Sequence, residues 1–207
     1  MKLTGETKLF IGIIVVTIIL IGGAMFVFGR QASAPAFSKS DMIPTGTYTR
    51  GSASASAYLV EFSDLQCPAC KAFEPTVDAI VQQYGGKLLY AYRYFPLTQH
   101  PYGMQAAVAA EAANRQGKFW EFHDQLFTDQ DSLSDDTVQK DAQKVGLNME
   151  QFNKDLKDSS VQDKVNKDQA DGNKFGVNAT PSFYLNGTLL QLNAPSDLTQ
   201  AVADAVK

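Results

Sequence analysis

The chain's only two cysteines stand three residues apart, in Cys67-Pro68-Ala69-Cys70. What lies on either side of them constrains the fold more than any other feature. Residues 58–62 form a short apolar run of strand type, broken by the single acid Glu61. Beyond the cysteines, Phe73, Val77, Ile80, Val81 and Tyr84 recur at spacings of three and four, the period of a helix. Pro68 falls where a first helical turn tolerates proline, and Gly85-Gly86 closes the helix. Residues 87–95 are aromatic-rich and strand-like, and they stop at Pro96. The pattern predicts a strand-helix-strand unit with both cysteines at its first strand-to-helix turn.

That position decides what the cysteines are for. A disulfide framework needs more cysteines, spaced further apart. A zinc site needs two further ligands, and the only histidines, His100 and His123, lie twenty-three residues apart. We therefore expect no metal, and both histidines read as structural. A thiol at a helix N-terminus faces unpaired N–H groups and the positive end of the helix dipole, which lowers its pKa. Cys67 occupies that point, with solvent expected to reach it. Cys70 lies one turn in, close enough to close a disulfide, and the geometry is that of a reversible redox pair.

The rest of the body reads as a helical stretch over about 101–176. Two strand runs then follow, at 182–185 and 188–192, across an Asn186-Gly187 hairpin turn. A last helix runs from Pro195 to Val206. The expected body, 58–207, is thus β-α-β, a helical insertion, then β-β-α. Residues 31–57 read as a linker, since nineteen of the twenty-seven are Ala, Ser, Gly, Thr or Pro. Met42, Ile43 and Tyr48 offer positions for a first edge strand, but the surrounding composition argues against one.

Residues 1–30 are of another kind. From Leu9 to Gly29 twenty-one residues carry no charge, flanked by Lys2 and Lys8 before and Arg30 after. A helix of that length spans about 30 Å, the thickness of a bilayer's hydrocarbon core. Ala32-Ser33-Ala34 resembles a signal-peptidase site, but Pro35 follows it and the apolar run is longer than cleaved signals need. The reading is one transmembrane signal anchor, with Lys2 and Lys8 favouring a cytoplasmic N-terminus and an extracytoplasmic body. Net charge is −4, and the body is more acidic still, which argues against nucleic acid as a partner.

With these residues in view, the body resembles the DsbA-like thiol–disulfide oxidoreductases of the thioredoxin superfamily. Val60-Glu61-Phe62-Ser63 is similar to that family's strand before the active site, with Glu61 at its buried acid position. Phe95-Pro96-Leu97 with His100-Pro101 is similar to the segment after its second strand. Residues 117–124 look like its helical insertion, and residues 176–183, with Thr180-Pro181, look like its cis-proline loop. The fold implied is an α/β thioredoxin fold, the helical insertion lying between its βαβ and ββα halves and one transmembrane helix preceding it.

The resemblance implies that Cys67 is the nucleophile, Cys70 the resolving thiol and Glu61 the acid that exchanges a proton with Cys70. It also implies that Pro68, Ala69, Thr180 and a cis Pro181 form the loop surface that meets substrate. The implied activity is oxidation of client proteins outside the cytoplasm, without a cofactor. Reoxidation would come from a membrane partner similar to DsbB or vitamin K epoxide reductase. A reductase or isomerase on the same scaffold is the alternative, and a non-catalytic binding module a more distant one. Ala69 departs from the pattern, because the family often places His, Tyr or Phe there. An alanine side chain cannot stabilise the Cys67 thiolate, which leaves the redox direction open.

Overall fold

The computed structural model describes Ile14, Val16, Thr17 and residues 36–207. The expected anchor over 9–29 lies almost wholly outside the described residues. Among those described, no helix is long and apolar enough to cross a membrane.

From Ala36 on, the order begins with a short helix α1 (Lys39–Met42), then β1 (Tyr48–Gly51), β2 (Ala57–Ser63), α2 (Pro68–Tyr84) and β3 (Leu88–Tyr94). The insertion supplies α3 (Gly103–Asn114), α4 (Phe119–Thr128), a 3-10 turn (Gln130–Ser132), α5 (Asp135–Lys144), α6 (Met149–Asp155) and α7 (Ser159–Phe175). The chain returns through β4 (Ser182–Leu185) and β5 (Thr188–Leu189) and ends in α8 (Pro195–Ala205). The second hairpin strand is shorter than its apolar run suggests.

The described strands form one sheet in the order β1-β3-β2-β4-β5. β2 runs parallel to β3, with Glu61 opposite Tyr92, and antiparallel to β4, with Glu61 opposite Phe183. Every residue of β2 and β3 is buried, as expected of parallel strands covered on both faces. Alternation then sorts their side chains. Leu59, Tyr90, Tyr92 and Tyr94 pack with Cys67, Cys70, Val77 and Ile80 of α2 and with the aromatic residues of α4. Tyr58, Val60, Phe62, Leu89 and Ala91 pack on the opposite face with Met42, Phe95 and Tyr184.

The linker expected over 31–57 needs correction in its described part. Residues 36–57 belong to the folded body, because a few large side chains anchor an otherwise small-residue stretch. Met42 is fully buried. Phe37 packs on Phe175 and Tyr184. Tyr48 stacks on Phe119 with ring centroids 3.6 Å apart. Arg50 lies 4.1 Å over the Trp120 ring while pairing with Asp78 and Asp124. β1 therefore forms the edge of the sheet, antiparallel to β3. Gly51 ends it at φ +95°, where an added Cβ would collide with the Leu88 carbonyl.

Candidate active site

β2 delivers the chain to the site, and residues 64–66 turn it into α2. Cys67 is the N-cap of α2, with extended φ/ψ, and Pro68 opens the first turn. Pro68 and Ala69 are exposed, whereas Cys67 retains 6% exposure and Cys70 none. The free access expected at Cys67 is thus narrower than its helix position suggests, because the Thr180 loop covers it. The Cys67 thiol donates to the Thr180 carbonyl at 3.3 Å, and the Thr180–Pro181 bond is cis. The structure thus brings Cys67, Cys70, Pro68, Ala69 and the Thr180–Pro181 loop together at one helix start.

The two thiols, both free, sit in opposed environments. A hydrogen bond from Cys70 lowers the Cys67 pKa to about 5 against the cost of burial, helped by the Thr180 side chain and by the N–H groups of Cys70 and Ala69. The alanine therefore contributes through its backbone what its side chain cannot. Cys70 moves the other way: burial first, then its bond with Cys67 and the charge of Glu61, push its thiol well above the ordinary range. Only the Asp64 N–H, 3.5 Å from its Sγ, works against this.

Glu61 lies fully buried on the same face of the sheet as the cysteines. Tyr90 donates its hydroxyl to Oε2 at 2.7 Å, while Oε1 has no partner. Burial is the main cause that raises this carboxyl to about 7, and the Tyr90 bond only partly offsets it. A buried acid that changes protonation near neutrality can supply and recover a proton.

Several residues that build the site carry no local signal in the sequence. Asp64 accepts from the Gln66 and Leu97 N–H groups, both at 2.8 Å, and lies 2.7 Å from His100 Nδ1. Gln130, from the insertion, donates to the carbonyls of Leu65 at 2.9 Å and Cys67 at 3.1 Å. The insertion thereby braces the loop that presents Cys67. Tyr90 looked like one more aromatic of a buried strand. A cation-type grouping also occurs among the described residues: ligand-type atoms of Glu74, His123 and Asp124 lie within 4.8 Å of one another. Arg50 already pairs with Asp124 there at 2.7 Å, so the grouping is organised around a guanidinium.

A sheet of this order, with paired cysteines at the helix start above its central strand and a cis-proline loop facing them, is the thioredoxin fold. The profile of the family described as Thioredoxin matches residues 44–204, and the chain belongs to that family. A thioredoxin-like oxidoreductase from Silicibacter pomeroyi DSS-3 superposes with a TM-score of 0.70 at 28% identity, over 82% of this chain and 98% of that one. The thiol-disulfide exchange protein alpha-DsbA2 of Wolbachia pipientis gives 0.71 at 21% identity, over 80% and 90%, a likeness of fold. Among curated proteins, the Na(+)/H(+) antiporter NhaA 1 of Mycolicibacterium gilvum is 38% identical over 147 residues. That match takes in 70% of this chain and 24% of the antiporter, so the chain spans about a quarter of the length of such relatives.

Proposed function

We propose that the chain is a thiol–disulfide oxidoreductase acting as an oxidase on proteins outside the cytoplasm. The observation that carries this reading is the placement of the two thiols, Cys67 at the N-cap of α2 and Cys70 one turn in and fully buried, an arrangement that lowers the first pKa and raises the second. A stabilised Cys67 thiolate favours the reduced pair, and a pair whose reduced form is stabilised is an oxidant. The Silicibacter protein, a thioredoxin-like oxidoreductase, and the Wolbachia thiol-disulfide exchange protein support thiol–disulfide exchange as the reaction class, without its direction. The antiporter names add nothing to it, since the match covers so little of those proteins.

In the cycle, a client thiolate attacks Cys67 Sγ of the disulfide, and the sulfur–sulfur bond breaks. Cys70 leaves as a thiolate and takes the Glu61 proton. A second client thiolate then attacks the client sulfur of the mixed disulfide, releasing Cys67 as a thiolate. Two electrons pass from client to pair, and the client gains a disulfide. The Thr180–Pro181 backbone offers an extended client segment a strand-like partner. A cleft of about 310 Å³ beside it, lined by Phe73, Pro181, Phe183, Leu189 and Leu192, suits apolar client side chains. The uncharged run over 9–29 serves in this reading as a single-pass anchor. It would hold the pair near a reoxidising membrane protein similar to DsbB or vitamin K epoxide reductase, at raised effective concentration.

Equilibrating the pair against a glutathione series tests the direction. A reduction potential between about −120 and −180 mV supports an oxidase, whereas one near about −270 mV makes the chain a reductase.

A further inference from the structure

The helical insertion reaches the cysteine turn through its 3-10 turn, where two neighbouring side chains make the contact. Asp131 pairs with Lys71 at 2.9 Å, but the aspartate side chain is 90% exposed, so water and salt screen the pair. Gln130 is buried. Its Nε2 donates to the Leu65 carbonyl at 2.9 Å and to the Cys67 carbonyl at 3.1 Å. Two carbonyl oxygens call for two N–H donors, and a neutral amide nitrogen carries both.

The two carbonyls bracket Gln66 and Cys67, so fixing both fixes the backbone from which the Cys67 thiol projects. Other backbone bonds at this point are local. The Cys67 N–H donates to the Asp64 carbonyl at 2.9 Å, and the Lys71 N–H reaches the Cys67 carbonyl at 3.2 Å. Gln130, 63 positions further on, adds a grip from another element. Held there, Cys67 keeps an extended N-cap conformation, φ −77° and ψ 120°, in which the N–H groups of Ala69 and Cys70 meet its sulfur. A buried carbonyl deprived of its donor costs free energy and turns toward another partner. Rotation of the backbone over 65–67 would carry the sulfur away from those N–H groups.

We propose that Gln130 is a positioning residue for thiol–disulfide exchange: its amide holds the Cys67 turn in this conformation, and through it the insertion sets the redox poise of the pair. The inference rests on the oxidoreductase reading above. The species that gains is the Cys67 thiolate of the reduced pair. Loosening the turn therefore weakens the reduced form and makes the pair a weaker oxidant.

Two variants test this without changing the charge. Gln130→Met removes both donors at nearly constant length, and Gln130→Asn keeps the amide but draws it back by one methylene. Thiolate absorbance of the reduced full chain, followed from about pH 3 to pH 8, gives the Cys67 midpoint, and equilibration with glutathione gives the potential. In both variants the midpoint should rise by about one pH unit. The glutathione equilibrium should shift about tenfold toward the disulfide, or about 30 mV. The two shifts must agree, because they have one cause. Asp131→Asn, which removes only the exposed ion pair, should move neither. A merely structural role would lower the melting temperature of both redox forms alike and leave midpoint and potential in place. That result overturns the inference, as does an equal shift in Asp131→Asn. A wild-type chain that exchanges no disulfide with glutathione overturns the oxidoreductase reading instead, while the titration still decides whether Gln130 holds the thiolate.

Discussion

β2 and β3 each send one Asp, Glu, Lys or Arg side chain into the core, Glu61 and Arg93, on opposite faces of the sheet, and the two faces treat it in opposite ways. Arg93 projects from β3 on the face away from the cysteines and is wholly buried. Its guanidinium donates to Asp168 at 3.0 and 2.7 Å, to Asp171 at 2.7 Å, and to the carbonyls of Asp41 and Met42. Lys164 completes the cluster from α7. Glu61, on the cysteine face, has one tyrosine hydroxyl and an oxygen with no partner. Burying a charge costs several kcal/mol unless pairing and hydrogen bonds compensate. The Arg93 face satisfies that condition and uses the charge as architecture, tying α1 and α7 to the sheet. The Glu61 face does not, and it is where the two thiols lie. Incomplete satisfaction beside a nucleophile marks chemistry rather than structure.

Removing the arginine should produce the largest effect. Arg93→Met leaves the buried Asp168 with Lys164 alone and Asp171 with only the exposed Lys167 and Lys174, and is expected to cost about 3 kcal/mol in denaturant unfolding. Labelling of Cys67 in the folded fraction should not change. The α1 segment, held through the Asp41 and Met42 carbonyls, should become sensitive to protease. Equal stability in the variant would make the cluster ornamental.

Glu61→Gln sharpens the contrast from the other side. The step in which Cys70 leaves should slow about 10²-fold, the scale of general acid catalysis, with unfolding stability unchanged or higher. The sign with pH follows from linkage. Because its pKa rises from 4.5 to about 7 on folding, Glu61 binds more protons folded than unfolded in that window. Its contribution to stability is full below that window and is lost as pH rises through it. The variant should therefore gain on the wild type in thermal melts between pH 5 and pH 8. Should it lose stability on the scale of Arg93→Met, the two faces would not differ in kind. Tyr90→Phe should do least, removing one hydrogen bond worth about 1 kcal/mol. That bond lowers the Glu61 pKa, so the pH profile of the thiol step should move upward. An unmoved profile would separate Tyr90 from the acid.

Much of this contrast was legible in the residues, and the illegible part has a common cause. The strand-to-helix turn at Cys67 and the helix over the Phe73–Tyr84 positions follow from local period and capping, whereas the buried acid position of Glu61 entered through the family resemblance. The cis-proline loop entered through a resemblance carried by residues 176–183. Residues 36–57 misled because their mean composition is that of a tether, while Met42, Tyr48 and Arg50 alone decide their fate. Asp64, Gln130 and Tyr90 shape the site through contacts 29 to 65 positions away in the chain. Such residues look like ordinary polar or aromatic members of their elements until the fold brings them together. His100 was read as structural, and its ring does brace Asp64, one residue before the buried loop that leads to Cys67.

The inequality of the two cysteines is the claim on which the reading stands, and alkylation of the reduced chain measures it directly. Rates at Cys67 and Cys70, resolved by peptide mass spectrometry from pH 4 to pH 10, report the thiolate fraction at each sulfur. The expected result is a Cys67 rate that rises with a midpoint near about 5, with Cys70 inert until well above 9. Cys70→Ser should then trap clients as mixed disulfides, and Cys67→Ser should trap almost none. Equal labelling of the two sulfurs, or capture of clients by Cys67→Ser, would contradict the assignment of nucleophile and resolving thiol.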